Sequence, residues 1–182
     1  MATLARPVVL IGLMGVGKTT IGMKTAEILN IPFIDSDDLI PLQAGSSIED
    51  IFEESGEAVF RQFEFSALQT AAEQVSRPII ASGGGAVTHP PTLDYLRRHC
   101  YLVWLDISIP LLVSRLRDNP GDRPLLKKTG ASIAEQVVHL ADQRRPLYEK
   151  AHVRLKCNKA SVMVTATLLA DHLRSVPDLY AG

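Results

Sequence analysis

Between an apolar run, Val8-Val-Leu-Ile11, and an amphipathic stretch from Lys18 to Leu29 lies a loop that carries Gly12, Gly15 and Gly17. Glycine weakens both a strand and a helix, so its repetition at this junction needs a local reason. The string GLMGVGKT, residues 12–19, supplies one, because it satisfies G-x-x-x-x-G-K-[ST] in the setting that pattern requires, a β-prone strand before and a helix after. Missing Cβ atoms let successive backbone N–H groups turn inward around an anion, and the helix that follows adds its positive end. A bare glycine-rich turn would explain the glycines but not Lys18-Thr19 behind them.

The pattern is that of a nucleotide-phosphate loop. Lys18 is expected on an exposed loop, reaching the β- and γ-phosphates, with the Thr19 hydroxyl on Mg²⁺. Such a loop fixes no reaction, so the rest of the chain must. Short apolar runs alternate with longer amphipathic ones, which predicts an α/β domain with a mostly parallel sheet. Strands are expected near Val8–Gly12, Pro32–Asp35, Pro78–Ser82, Tyr101–Asp106 and Val153–Cys157. Helices are expected over Lys18–Leu29, Gly56–Val75, Pro91–Arg98, Pro110–Leu116, Ile133–Lys150 and Val162–Leu173. A short helix over Ile48–Glu54 is expected behind a Ser46/Glu49 capping box. Residues 117–132, RDNPGDRPLLKKTGAS, are polar, basic and broken by Pro and Gly, as in a mobile lid.

With 182 residues, 46% of them apolar, the chain fits one domain over 1–182. The 19 basic and 20 acidic side chains balance, which argues against a nucleic-acid or membrane surface and for small partners. Cys100 and Cys157 have no metal or redox spacing and read as reduced thiols, and the histidines form no ligand pair. MATLARP lacks an apolar signal core, so a cytoplasmic protein is expected, and nothing demands more than a monomer.

Several constellations bear on the reaction. Asp35 and Asp37 end the second strand at the sheet edge where open α/β folds bind ligands, although Asp37 also suits a helix cap. Arg61 and Glu64 share a helix face at i, i+3, a spacing that more often marks a solvated salt bridge. Gly83, Gly84 and Gly85 follow a buried strand, a second place for backbone to approach a ligand. Asp106 after Tyr101–Leu105 has the look of a Mg²⁺-assisting strand-end acid. A GTPase reading meets Asp118-Asn-Pro-Gly121 too late in the chain, and Asn158-Lys-Ala-Ser161 with serine where a guanine-binding carboxylate belongs.

Taken in order, G-x-x-G-x-G-K-T, D-S-D, F-R-x-x-E, A-S-G-G-G-A-V, R-P-L-L and R-R-P-L-Y resemble the shikimate kinases over nearly the whole chain. The resemblance implies a three-layer sandwich close to the nucleoside monophosphate kinases, with a five-stranded parallel sheet of order 2-3-1-4-5, helices on both faces and a mobile lid. It implies transfer of the ATP γ-phosphoryl to the 3-hydroxyl of shikimate, in chorismate and aromatic amino acid biosynthesis. Gly12, Gly15, Val16, Gly17, Lys18, Thr19 and Thr20 would cradle ATP, and Arg123 would close with the lid onto its phosphates. Asp37 would hold the acceptor hydroxyl, Arg61 and Arg144 the carboxylate, and Gly83–Gly85, Gly84 above all, would present backbone to the ring, within an acceptor region of about 36–75. Lys18, Asp37 and Arg123 would be the catalytic set. For Mg²⁺ the resemblance favours Thr19 with Asp35, through water, over Asp106. Adenine contacts have no firm match beyond Arg117 and the Asn158–Ser161 loop. Two other readings stay open: another small-molecule kinase of the gluconate or nucleotide type, and a non-catalytic homologue serving as a binding module.

Overall fold

A computed structural model describes residues 3–118, 132–158 and 161–181. The glycine loop leaves strand β2 (Val8–Ile11), and β2 is the middle of a parallel sheet. It pairs with β4 (Ile79–Ala81) on one side and β5 (Tyr101–Asp106) on the other, Val8 standing opposite both Ile79 and Tyr101. All four β2 residues are buried, as expected of a strand covered on both faces. β3 (Phe33–Asp35) pairs outside β4, and β6 (Val153–Lys156) outside β5, so the order is β3-β4-β2-β5-β6. Numbered within the sheet this is 2-3-1-4-5, the expected order. The edge strand β6 alternates half-buried with exposed residues, where β2 is uniformly apolar.

The period of two sends alternate side chains to two cores. Val8 and Leu10 join the first, with α1 (Lys18–Leu29), α6 (Ile109–Asp118) and α8 (Val162–Ser175) packed over them. Val9 and Ile11 join the second, under α4 (Gly56–Ala72) and α5 (Pro90–His99). Helix α7 (Ile133–Tyr148) contributes to both, through Val137 and Tyr148. A third, smaller core of Ile40, Ile51, Phe60 and Ala67 ties α4 to α2 (Ser36–Ala44) and α3 (Ile48–Asp50). Among the described residues no helix is long and apolar enough to cross a membrane.

Local chemistry departs from expectation in several places. The cap of α2 is Asp35, whose Oδ1 accepts from the Asp37 N–H at 3.1 Å, and Asp37 itself lies inside the first turn. The cap of α3 is Ser47, accepting from the Asp50 N–H at 3.0 Å, one residue later than the expected Ser46 box. The helix then runs through a π turn, Ile51–Ser55, before α4 begins at Gly56. β1 (Thr3–Leu4) and β7 (Tyr180–Ala181) form a two-stranded antiparallel ribbon. The expected lid, apart from Arg117, Asp118 and Ser132 at its ends, falls outside the described residues, as does Arg123.

Candidate active site

The glycine loop is shaped by what surrounds it. Gly12 has φ 145°, and a Cβ there would stand 2.5 Å from the Leu105 carbonyl oxygen, so only glycine lets the loop leave β2 against β5. Helix α1 starts after Gly17 with no side-chain cap, which leaves its first N–H groups for a ligand. Val16 is fully buried, so only its backbone serves the loop, and its carbonyl accepts from Arg115 at 3.2 Å. Lys18 is not exposed as the sequence suggested. It is 9% accessible, and its Nζ donates to the carbonyls of Gly12 at 2.9 Å and Leu13 at 3.1 Å. Burial lowers its pKa to about 8, with Asp37 and Asp35 pulling it back up.

Thr19 and Thr20 are exposed at the mouth, and the Thr19 hydroxyl donates to Asp35 Oδ2 at 2.7 Å. Together with Gly15, Gly17, Lys18 and Gly84 they face a cleft of about 600 Å³ that also takes in Arg115 and Asp118. Arg117 is exposed on the last turn of α6. Asn158 ties the chain locally, its Oδ1 accepting from the Ser108 N–H at 2.6 Å. Asp106 is taken by Arg154, whose Nε and Nη2 donate to it at 3.0 and 2.7 Å, so it is engaged in a strand-to-strand ion pair.

A second cavity, about 150 Å³, opens beside the first and shares Met14, Asp37 and Gly84 with it. Arg61, Arg144 and the 83–85 backbone line it, and Ile48, Phe52 and Phe60 give it an apolar wall, the two rings 4.3 Å apart. The Arg61–Glu64 pair is no surface salt bridge. Arg61 is 7% accessible and Glu64 1%, joined at 2.6 Å, with Glu57 holding the other guanidinium nitrogen at 2.8 Å. A Cβ on Gly85 would sit 2.5 Å from Arg61 Nη2, so the glycine makes room for this guanidinium. Arg144, equally buried, donates to the Gly84 carbonyl at 2.9 Å, and Tyr148 donates to the same oxygen at 2.7 Å.

Unsatisfied atoms concentrate here. Asp37 Oδ1, Arg61 Nε and Glu64 Oε1 are buried without a hydrogen-bond partner, an arrangement that costs stability unless a polar ligand completes it. Burial raises the Asp37 pKa to about 6, the Asp35 and Glu64 carboxylates adding to it and Lys18 opposing. Burial likewise raises that of Glu64 against the attraction of Arg61.

The sequence reading passed over Glu57, Arg115 and Tyr148. Glu57 is at i−4 from Arg61, a pairing distance that was legible, and Tyr148 closes the R-R-P-L-Y string without having drawn a role. Arg115 carries no local signal, because its contact with the loop spans distant parts of the chain.

Residues 14–173 match the shikimate kinase family. A shikimate kinase from Prochlorococcus marinus (strain NATL2A) is 36% identical over 171 residues, covering 94% of this chain and 84% of the relative. One from Synechococcus sp. (strain JA-3-3Ab) is 42% identical over 148 residues, 81% of this chain and 76% of the relative. The shikimate kinase from Acinetobacter baumannii, solved in complex with shikimate, superposes with a TM-score of 0.85 at 32% identity, covering 93% of each chain. A phosphate loop, an adjoining arginine-lined cavity and a match across most of the sequence agree: the chain belongs to the shikimate kinase family.

Proposed function

We propose that this chain transfers the γ-phosphoryl group of ATP to the 3-hydroxyl of shikimate, giving 3-phosphoshikimate and ADP, a step toward chorismate and the aromatic amino acids. The observation that carries the reading is the cavity beside the phosphate loop, where two buried guanidiniums, an apolar wall and three unpartnered polar atoms surround a space that meets the nucleotide cleft at Asp37. A hydroxylated cyclic acid answers each element. Its carboxylate fits Arg61 and Arg144, planar donors that stay charged. One face of its ring fits Phe52 and Phe60, and its hydroxyls fit the unpartnered atoms.

Asp37, with a pKa near 6, is ionised at neutral pH and accepts the hydrogen bond of the 3-hydroxyl, turning an oxygen lone pair toward the γ-phosphorus. A loose transition state asks little of a base, so orientation is its main task. The uncapped start of α1 and the N–H groups of Gly15, Gly17, Lys18, Thr19 and Thr20 receive the phosphates, while that of Val16 donates to the Leu13 carbonyl at 3.3 Å and holds the loop's shape. The negative charge of ATP restores full protonation to Lys18, which then stabilises charge moving onto the β–γ bridge. Arg123, outside the described residues, would add a guanidinium to the phosphates, as the family resemblance implies. The Thr19 hydroxyl beside the Asp35 carboxylate is a pair of hard oxygen donors that fits Mg²⁺ shared with ATP. Among the described residues no cluster of three His, Cys, Asp or Glu would cage a metal. When bound, Mg²⁺ neutralises charge on the β- and γ-phosphate oxygens.

One chain supplies the acceptor groups and the phosphate loop, which supports a monomer, and two buried free cysteines with balanced charge support a cytoplasmic setting. The test is ADP release with shikimate, gluconate and AMP as competing acceptors. Shikimate is expected to dominate, and turnover on gluconate or AMP in its place would replace the assignment with another small-molecule kinase.

A further inference from the structure

We propose that Tyr148 is a positioning residue for the acceptor: with Arg144, one helical turn before it on α7, it fixes the Gly84 carbonyl and so sets the depth of the acceptor cavity. This rests on shikimate as the acceptor. A carbonyl oxygen has two lone pairs, and on Gly84 the Tyr148 hydroxyl at 2.7 Å and the Arg144 guanidinium at 2.9 Å both donate to that oxygen, one lone pair for each. Arg144 is thereby held at the cavity wall through Nη1, with the Tyr148 hydroxyl beside its guanidinium. Tyr148 is 2% accessible, and its ring stacks on Trp104 at 5.8 Å, so the hydroxyl has no freedom to leave. Burial pushes the phenol up to about 12, which keeps it a donor at any working pH.

A buried tyrosine ordinarily finds some partner, but the backbone held here has no slack. A Cβ on Gly83 would overlap Glu64 Oε1 and lie 3.1 Å from Asp37 Oδ1, and one on Gly85 would lie 2.5 Å from Arg61 Nη2. The turn that holds Gly84 thus packs against Glu64 and Asp37 on one side and Arg61 on the other. Loss of the hydroxyl releases one of the two anchors of that turn.

The test is Tyr148→Phe, assayed well below its melting temperature. The shikimate KM is expected to rise about five- to tenfold, the scale of one hydrogen bond, with the ATP KM within about twofold. Placing 4-aminophenylalanine at position 148 returns an uncharged donor at the same reach and is expected to restore the shikimate KM. If the Phe variant does not fold, 4-fluorophenylalanine fills the hydroxyl's volume without a donor hydrogen and is expected to show the same KM split. A folded variant with both KM values unchanged, or both raised alike, would show a merely structural tyrosine and overturn the proposal. Wild-type protein without shikimate-dependent ADP release would instead remove the acceptor assignment, so the two failures are distinguishable.

Discussion

Asp37 occupies a place that burial makes unfavourable for a charge, between the phosphate loop and the acceptor cavity. Its raised pKa has a defined consequence for stability. Because the folded chain binds this proton more tightly than the unfolded chain, the stabilisation is complete below about 3.8 and is lost as pH rises through about 6. Asp37→Asn removes the penalty. At pH 8 the variant should be more stable by up to about 3 kcal/mol, or about 6–12 °C in Tm. The gain should shrink toward zero near pH 4, and kcat should fall at least ~10²-fold. Thermal melts at the two pH values with one steady-state assay check this, and equal melting temperatures at pH 8 would mean that Asp37 is not strained. Lys18 was legible in the sequence from its loop motif alone, whereas the places of Asp37, Arg61 and Arg144 in the acceptor site came only with the family resemblance. The burial of Lys18 was not legible, because it depends on how the loop folds over its own carbonyls.

Among the elements, β3 and β5 both end in aspartate, and their neighbours separate the two. Asp35 meets the Thr19 hydroxyl at the mouth of the phosphate loop, whereas Asp106 is neutralised by Arg154 from β6. Asp35→Asn should therefore raise the Mg²⁺ concentration for half-maximal rate several-fold, since an amide keeps the shape and loses the attraction. Asp106→Asn should leave that value within about twofold and slightly lower Tm. Mg²⁺ titrations of both variants decide the matter, and the reverse order would make Asp106 the metal's partner. The five sheet strands were readable from the sequence because apolar runs flanked by helical periods identify buried parallel strands. Helix α2 was legible only as a cap candidate at Asp37, two residues after the actual cap Asp35, and its internal Pro41 obscures the helical period. The β1–β7 ribbon joins residues from opposite ends of the chain and has no local pattern to read.

At the scale of the whole molecule, sheet order brings the parts together. β2 and β4 are neighbours, so the phosphate loop after one and the 83–85 turn after the other lie side by side. β3, beyond β4, delivers Asp35 and Asp37 to the same edge, and α4 and α7 bring Arg61 and Arg144 from the side. The cleft and the cavity consequently share Asp37 and Gly84, and that junction is where a phosphoryl group would pass from nucleotide to acceptor. Which helix faces close over the junction was not readable without the family resemblance, because it depends on contacts between segments far apart in sequence. Coupled ³¹P–¹H NMR of the product formed from ATP and shikimate tests this geometry most directly. One phosphorylated product is expected, its phosphorus coupled to the proton on carbon 3, formed in equal amount to ADP. Phosphate on a different oxygen, or ADP formed without a phosphorylated acid, would contradict it.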